Sequence, residues 1–577
     1  MLDSRAMTTP PEQSRRGWWT VAAAVLALAQ TVLLVTTALD KLDTMDEPHY
    51  LAGAVQLWWD PGSVETCDAP ALAKWGFALP LRLLEPEMFD PGAPSGRHPL
   101  WSRPPDVARR NLLAARGATI LVTVVGGLFL WLAARRFGPQ VALLAHALWC
   151  FSPAVLAQGS LAALDAWLTS LLCVAGWATF RVAERPSIAR LSTLGFTLAL
   201  AAAAKAPGLG FLPVAVCVAW WSTVRHAGGR RAAAKGILVA ATVVSLVFLS
   251  TLAGVYGFRL GTLDIGDPCG LADTPVGPTL GPVPFAPWLA SLVVQTQHGR
   301  GGHYSYLFGE TSGTGWWWFY LAALALKTTL AAQALAILRL AAWLKRPPNR
   351  SVLAIDAAIL VYPMLVIAVM SLGNTQNGLR YILPAFPFLM LVGARALPDL
   401  RAAFGRKGVA VASAVLLVGM LEMLSVHPHH LMFFNFWAGG PKGGPRYLIN
   451  GDDWGQDQRR VALWQRENRP GRFFYTRYTV NPSHWGITFE APPCEPKQGF
   501  YALHAVEVHR PKRIPAGCLD WLTVDEPDAR FGYSIYFYVV NGERAAQLRQ
   551  PATKKPFWSS AGTSRGGSSD EDEKNEH

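Results

Sequence analysis

The stretch DTMDEPHY carries adjacent carboxylates, Asp46 and Glu47, just past the first long apolar run. A carboxylate held partly out of water is a stronger base than a solvated one and can take a proton from a hydroxyl or an amine. A third acid, Asp165, stands in LAQGSLAALDAW at the start of another apolar run. Four cations, Lys74, Lys205, His303 and Arg380, complete a set that could hold a phosphate, because guanidinium and ammonium groups neutralise phosphate without a metal. Singly, each has a plainer reading: a solvated acidic loop, an acid favoured by a helix dipole, a basic side chain reaching the membrane surface. The loop NGDDWGQDQRR concentrates Asp452, Asp453, Trp454, Gln456 and Asp457. It lacks the ligand spacing of an EF-hand. It reads as a turn into the helix QRRVALWQRE, with a divalent-cation loop as the alternative, and Asp453, Trp454 and Gln456, like Glu310, are candidate substrate-binding residues. Lys327, Asp356 and Glu422 fall inside apolar windows, where a charge marks function or a mutual pair.

These residues must be positioned by a membrane protein. The chain has 577 residues, 51% hydrophobic and only 16% charged, too few charges to cover soluble domains. Windows near 18–38, 111–134, 139–157, 164–180, 189–204, 207–224, 236–258, 316–343, 351–371, 381–398 and 408–426 approach the length needed to span a bilayer, giving an expectation of eleven spans, plus or minus two. The first is too long for a signal-peptide core and is read as a retained span. With the amino terminus inside, fifteen Lys and Arg fall in the inner loops, from Arg135 and Arg136 to Arg406 and Lys407. The outer segment 39–110 holds eleven acids and seven bases. The net charge of +13 is therefore a topological signal and excludes a nucleic-acid partner. The acids and cations with candidate chemistry fall on the outer face.

The expected organisation is a cytoplasmic segment 1–17, a membrane domain 18–426 with long outer loops 39–110 and 259–315, an outer α/β region 427–555 and a disordered tail 556–577. ALAKWGFALPLRLL and VPFAPWLASLVVQ are too short to span and read as interfacial helices. RFFYTRYTV, GFYALHAVEV and YSIYFYVV read as strands. Cys67, Cys269, Cys494 and Cys518 lie outside, where an oxidising compartment permits disulfides, with Cys494 and Cys518 the favoured pair. Cys150, Cys173 and Cys217 lie in spans and are expected to pack. Cysteine and histidine spacing suggests no structural metal.

In order along the chain, the acid pair, DAPALAKWGFALPL, FGPQVALLAHALWCFSPAVLAQGSLAALDAW, HYSYLFGETSGTGWWWFYLAALALKTTL, NTQNGLRYILPAFPFL and HPHHLMFFNFWAGGPKGGPRYLINGDDWGQDQRR resemble the GT-C type, family 39 membrane glycosyltransferases. That family includes the protein O-mannosyltransferases and aminoarabinose transferases and uses polyprenyl-phosphate sugar donors. The resemblance implies a polytopic helical bundle with a small α/β outer domain. It makes Asp46 the general base, with Glu47 and Asp165 orienting acceptor or donor, and transfer inverts the anomeric carbon. Lys74 and Arg380 would neutralise the leaving phosphate, and His303 and Glu310 would lie in a donor-site loop. Asp68-Ala69-Pro70 stands where the family has His-Pro-Pro, so a role for that histidine does not carry over. Expected partners are the bilayer, the lipid-linked donor and an acceptor that is protein, lipid or glycan. The expected location is a bacterial inner membrane with the C-terminal region outside. A divalent cation stays open, and the sugar is not read from the sequence. A transporter or flippase of lipid-linked saccharides is the alternative; it would carry two matching halves, and no internal repeat is found.

Overall fold

Apolar runs of about 20 residues satisfy their backbone groups within themselves only as helices, so the membrane part of the chain is helical. The computed structural model describes residues 10–60, 67–90, 100–269, 277–347, 350–476, 481–511 and 513–549. The expected tail 556–577, most of the segment 1–17 and residues 477–480 of one expected strand lie outside the described residues. Among the described residues, eight helices are long and apolar enough to cross a membrane: Gly17–Asp40, Pro105–Phe137, Leu164–Glu184, Ala206–His226, Arg230–Val255, Ile355–Leu372, Leu379–Phe404 and Arg406–Leu424. Two bent pairs bring the number to at most ten, and Ile188–Ala204 is apolar but only 17 residues long. The eleven windows thus resolve into eight long helices, two broken ones and one short one.

Both breaks have local causes. Pro139–Cys150 turns by 57° into Pro153–Gly159, where Ser152 caps the new helix and Pro153 cannot continue the old one. Phe319–Lys327 turns by 116° into Leu330–Lys345. The backbone carbonyls freed there are taken up by side chains: Asn435 Nδ2 donates to Ala325 O at 2.6 Å and Thr328 O at 3.0 Å, and Gln333 Nε2 donates to the same two carbonyls. Thr329 caps the second helix. The first helix therefore ends with Lys327 directed at Leu431 and Asp452 of the segment that follows the last long helix.

The outer loops are ordered around this end of the bundle. The 39–110 loop holds the helices Glu47–Trp59 and Leu72–Leu84. The second buries Lys74, Phe77 and Leu81 while exposing Leu79 and Leu83, as an interfacial helix should. In the 259–315 loop, β1 (Gly261–Asp264) pairs with β2 (Thr279–Val283), Ala286–Gly301 is helical, and β3 (Ser305–Leu307) pairs with β4 (Glu310–Ser312). A disulfide between Cys67 and Cys269 ties the two loops together, and Cys494 is bonded to Cys518. Cys150 and Cys173 are buried, but Cys217 is exposed on an outward face of its helix, so the packing expected of all three is found for two.

The C-terminal region is built on a four-stranded sheet ordered β5-β6-β8-β7, with β5 Phe473–Tyr475, β6 Gly499–His504, β7 Ala529–Phe531 and β8 Ile535–Val540. Only the β5–β6 pair is parallel. Tyr501, Leu503, Tyr536 and Tyr538 pack with Tyr306, Met432 and Ile449, which fixes the sheet to the outer loops. The strand expected through AVEV ends at His504, and Ala505–His509 is helical because the Asp453 carboxylate accepts from Val506 N and pins the turn.

Candidate active site

The two acids of DTMDEPHY part company in the structure. Glu47 is fully buried, and its two oxygens accept five hydrogen bonds. Thr44 N, Thr44 Oγ1 and Arg116 Nη2 reach Oε2 at 2.9, 3.0 and 2.7 Å; Arg116 Nε and Ala162 N reach Oε1, both at 2.8 Å. Arg116 also donates to the carbonyls of Ala38, Lys41 and Leu42. A carboxylate with every lone pair engaged has no site left for an acceptor proton. These bonds clasp the 38–47 turn to the Pro105–Ala134 helix.

Asp46 occupies the N-cap position of Glu47–Trp59, where an acid ordinarily accepts from the helix backbone, yet it makes no capping bond. Its carboxylate turns to Arg380, with Oδ2 at 2.7 Å from Nη1, and stays 19% exposed. Arg380 follows Gly378, whose φ of +65° and absent Cβ let the chain pass 2.3 Å (Cβ position to oxygen) from Asn450 O, too close for any side chain. The guanidinium lies 4.3 Å from the Trp454 ring and 5.1 Å from the Tyr381 ring.

Two further cation–acid pairs flank this one. Lys205 Nζ donates to Asp165 Oδ1 at 2.6 Å and sits 5.2 Å from the Tyr381 ring. Lys74, fully buried, donates to Asp68 Oδ1 at 2.6 Å, while Asp68 Oδ2 meets His49 Nε2 at 3.0 Å. Burial alone would raise the Asp68 carboxyl, but the Lys74 ammonium and then His49 hold it well below the usual carboxylate range. Asp68 is thus the partner that this chain puts where the resembled family has histidine. Tyr50 lies among Asp46, Asp68, Asp165 and Arg380, and burial, followed by the charge on Asp46, pushes its hydroxyl well above 10. It stays a neutral donor at any physiological pH.

The acid-rich loop 452–457 is mainly a hub. Asp452 takes the Lys327 ammonium, which also donates to Leu431 O at 3.0 Å. Burial still leaves the Asp452 carboxyl raised, to about 6. Asp453 holds His504 Nδ1 at 2.9 Å. Trp454 O accepts from Met45 N and Gln456 O accepts from Leu42 N, so the loop backbone braces the segment that carries Asp46. Gln456 closes the turn on Trp454 N and Asp452 O. Asp457, together with Asp40 and His429, makes a group with metal-ligand spacing, but the Lys41 ammonium sits on Asp457 and Asp40. Burial raises the Asp457 carboxyl, and Lys41 with His429 more than reverses it. The cation in this group is a side chain.

Behind Arg380, a cavity of about 30 Å³ is lined by Gln158, Lys327, Arg380, His430 and Asp452. It has room for a water molecule. Gln158 Oε1, Arg380 Nε, His430 Nδ1 and Asp452 Oδ2 are buried without a protein partner, two acceptors, one donor and one that can be either.

His303 and Glu310 both belong to the 259–315 loop. His303 packs its ring against His298 with centroids 4.5 Å apart, and Glu310 is exposed in the β3–β4 hairpin. Asp356 is held by Arg339 at 2.7 Å and by Arg395, a structural cluster at the other end of the bundle. Glu422 accepts from Leu330 N and Phe436 N and so fastens the 116° break. Sequence reasoning passed over Arg116, Lys41, Tyr50 and Tyr381. Arg116 left a signal, as a lone charge inside the 111–134 window.

Residues 106–253 match the family described as Dolichyl-phosphate-mannose-protein mannosyltransferase. No curated protein matches by sequence. Among solved structures, the S. cerevisiae protein O-mannosyltransferase Pmt1-Pmt2 complex bound to the sugar donor is similar at TM-score 0.50 and 13% identity, over 71% of this chain and 90% of that one. ArnT from Cupriavidus metallidurans bound to undecaprenyl phosphate aligns over 92% of this chain and 99% of its own, at 13% identity and TM-score 0.45. The Archaeoglobus fulgidus oligosaccharyltransferase aligns over 84% and 68%, at 12% identity and TM-score 0.39. With that family's sequence signature over 106–253, set in a fold shared with a protein O-mannosyltransferase, the chain is a membrane glycosyltransferase of GT-C type.

Proposed function

We propose that the chain transfers a sugar from a polyprenyl-phosphate donor to an acceptor on the outer face of a bacterial inner membrane, with Asp46 as general base and inversion at the anomeric carbon. The carrying observation is the Asp46–Arg380 pair: an uncapped, partly exposed carboxylate held on a cation that can accept phosphate instead. The description of the matched family, with a dolichyl-phosphate sugar as donor, supports the lipid carrier. The basic inner loops support the outer placement of residue 46 and of the C-terminal region.

The chemistry needs a base, an anion clamp and positioning, because a lipid phosphate is already a good leaving group. The donor phosphate draws the Arg380 guanidinium, and Lys74 or Lys205 adds charge from beside it. Asp46, released from Arg380, accepts the proton of the acceptor hydroxyl or amine. The acceptor atom then bonds to the anomeric carbon from the face opposite the phosphate, and the carbon–oxygen bond to phosphate breaks with its electron pair leaving on the phosphate. Arg380 meets that charge as it forms. Trp454 and Tyr381 keep the guanidinium in plane throughout. Replacing Asp46→Asn keeps the shape and removes the base. Purified variant reconstituted with lipid-linked donor should fold and insert as the parent does and transfer no sugar. Transfer at the parental rate would end the proposal.

A further inference from the structure

The two broken helices converge on the small cavity behind Arg380. Pro153–Gly159, past the 57° bend, brings Gln158, and Phe319–Lys327, before the 116° bend, brings Lys327. His430 comes from the turn His430–Met432 and Asp452 from the loop beyond it, while Arg380 closes the remaining side. All five of these side chains are more than nine-tenths buried.

The usual bonding atoms of this set are already engaged. Asp452 gives Oδ1 to the Lys327 ammonium, His430 Nε2 meets His427 Nδ1 at 3.1 Å, and Arg380 Nη1 donates to Asp46 Oδ2 at 2.7 Å. The atoms left over, Asp452 Oδ2, Gln158 Oε1, His430 Nδ1 and Arg380 Nε, belong to residues around one cavity of about 30 Å³. Buried polar atoms are costly to leave unpaired, so four around one space call for a shared partner. Their chemistry selects it. Arg380 and Lys327 repel a cation there, and the Asp452 carboxylate repels an anion. A water fits: its two hydrogens go to Asp452 Oδ2 and Gln158 Oε1, and its oxygen accepts from Arg380 Nε and His430 Nδ1.

The place of this water gives it a task. Trp454 and Tyr381, with rings 4.3 and 5.1 Å from the guanidinium, fix its plane, but stacking leaves rotation within that plane free. Hydrogen bonds at the guanidinium edges set that angle. Asp46 sets it through Nη1, and once Asp46 turns toward an acceptor proton, the bond at Nε is what holds it.

We propose that Gln158, His430 and Asp452 bind a water on Arg380 Nε and are positioning residues for that guanidinium. The task rests on the reading of Arg380 as the donor phosphate clamp, while the water site itself does not. The water exchanges no proton in this role. It ties Arg380 to the sealed Lys327–Asp452 pair, as a bridging water can with nearly the strength of a direct bond.

The test has two arms, both on the full-length protein. A crystal or cryo-electron microscopy map that shows ordered solvent should hold a peak within hydrogen-bond reach of all four atoms, in the parent and in Asp46→Asn. An empty cavity overturns the water. In the second arm, Gln158→Met removes one acceptor without touching either ion pair. It should melt like the parent and bind polyprenyl phosphate at least about tenfold more weakly, the scale of one hydrogen bond to a charged group. The donor KM should rise by a similar factor while the acceptor KM stays put, and Gln158→Glu, which keeps an acceptor there, should restore donor binding. Parental donor binding by Gln158→Met overturns the positioning role. A lowered melt with donor and acceptor affected alike overturns it in favour of a purely structural one. An empty cavity leaves the transfer reading standing, and sugar transfer surviving in Asp46→Asn leaves the water in place, so the two failures are distinct.

Discussion

Adjacent carboxylates that differ only in what surrounds them give the sharpest test of the site. Glu47→Gln replaces one charged oxygen by an amide nitrogen. The amide must then face either Thr44 N, Thr44 Oγ1 and Arg116 Nη2, or Arg116 Nε and Ala162 N. Each arrangement sets donors against a donor, and Arg116 is left charged in a fully buried position. Removing one member of a buried ion pair costs about 3–5 kcal/mol, which at about 1.4 kcal/mol per tenfold is between two and four powers of ten in the folded fraction. Asp46→Asn touches a pair whose carboxylate is 19% exposed and caps no helix, and it should cost less than Glu47→Gln. Purified variants would be compared by thermal unfolding in detergent and by sugar transfer. The expected pattern is a large loss of stability for Glu47→Gln and a near-parental melt without transfer for Asp46→Asn. Arg116→Met should cost at least as much as Glu47→Gln, since the carbonyls of Ala38, Lys41 and Leu42 also lose their donor. The double variant should cost less than the sum. A Glu47→Gln protein that melts like the parent would refute the clasp, and if it also lost transfer, Glu47 would belong to the reaction.

Two other substitutions report on the surrounding scaffold. Burial, offset in part by hydrogen bonds from Trp101 and Trp485, raises the Asp43 carboxyl from 3.8 to about 6. Between those values the folded state keeps a proton that the unfolded state has lost, so this group's contribution is full below pH 3.8 and falls away as pH rises through about 6, by up to about 3 kcal/mol. Asp43→Asn should narrow the gap in melting temperature between pH 4.5 and pH 7, and an unchanged gap would count against the assignment. Gly532 has φ +63°, and a Cβ there would lie 2.0 Å from the Asp457 carboxyl carbon. Gly532→Ala should therefore displace Asp457 from Lys41 and lower stability by about 1–3 kcal/mol in thermal unfolding, whereas a parental melt would mean the turn yields freely.

What the sequence disclosed follows from how local each signal is. Span positions depend on the composition of one continuous stretch, so all eleven windows reappear as helical segments. The 116° turn after Lys327 has no Gly or Pro to announce it; its stabilisers, Asn435 and Glu422, lie about a hundred residues away. Asp46 could be singled out as an outer acid after the first span. That Glu47 is sealed depends on Arg116, from the next span, and on Ala162, from the third turn of chain past the membrane. The loop 452–457 advertised its acids and leads into the helix Gln458–Asn468, but not what those acids bind. Their partners, Lys41, Lys327 and His504, come from three separate segments that no local pattern connects.

The ion pairs of the outer region divide by exposure, and the division bears on function. Glu47–Arg116, Lys41–Asp457 and Lys327–Asp452 leave no more than 5% of either side chain open. Water or substrate cannot replace either partner without first opening the fold, so these pairs fix geometry. Asp46–Arg380, Lys74–Asp68 and Lys205–Asp165 each keep one member at least 13% open. In such a pair the open member can leave for an incoming charge while the other stays anchored. Two of the open members are acids, Asp46 and Asp68, whose anchored cations would be freed toward a phosphate; the third is the cation Lys205. On the proposed reading, a phosphodiester monoanion entering here finds three cations that it can claim without breaking a sealed pair, and they meet the second charge that forms as the sugar leaves. The carboxylate it displaces from Arg380 is the one that is then free to take a proton. If Asp46 is the base, as proposed, donor binding and release of the base are one event, and the salt bridge to Arg380 is how the empty site holds that base.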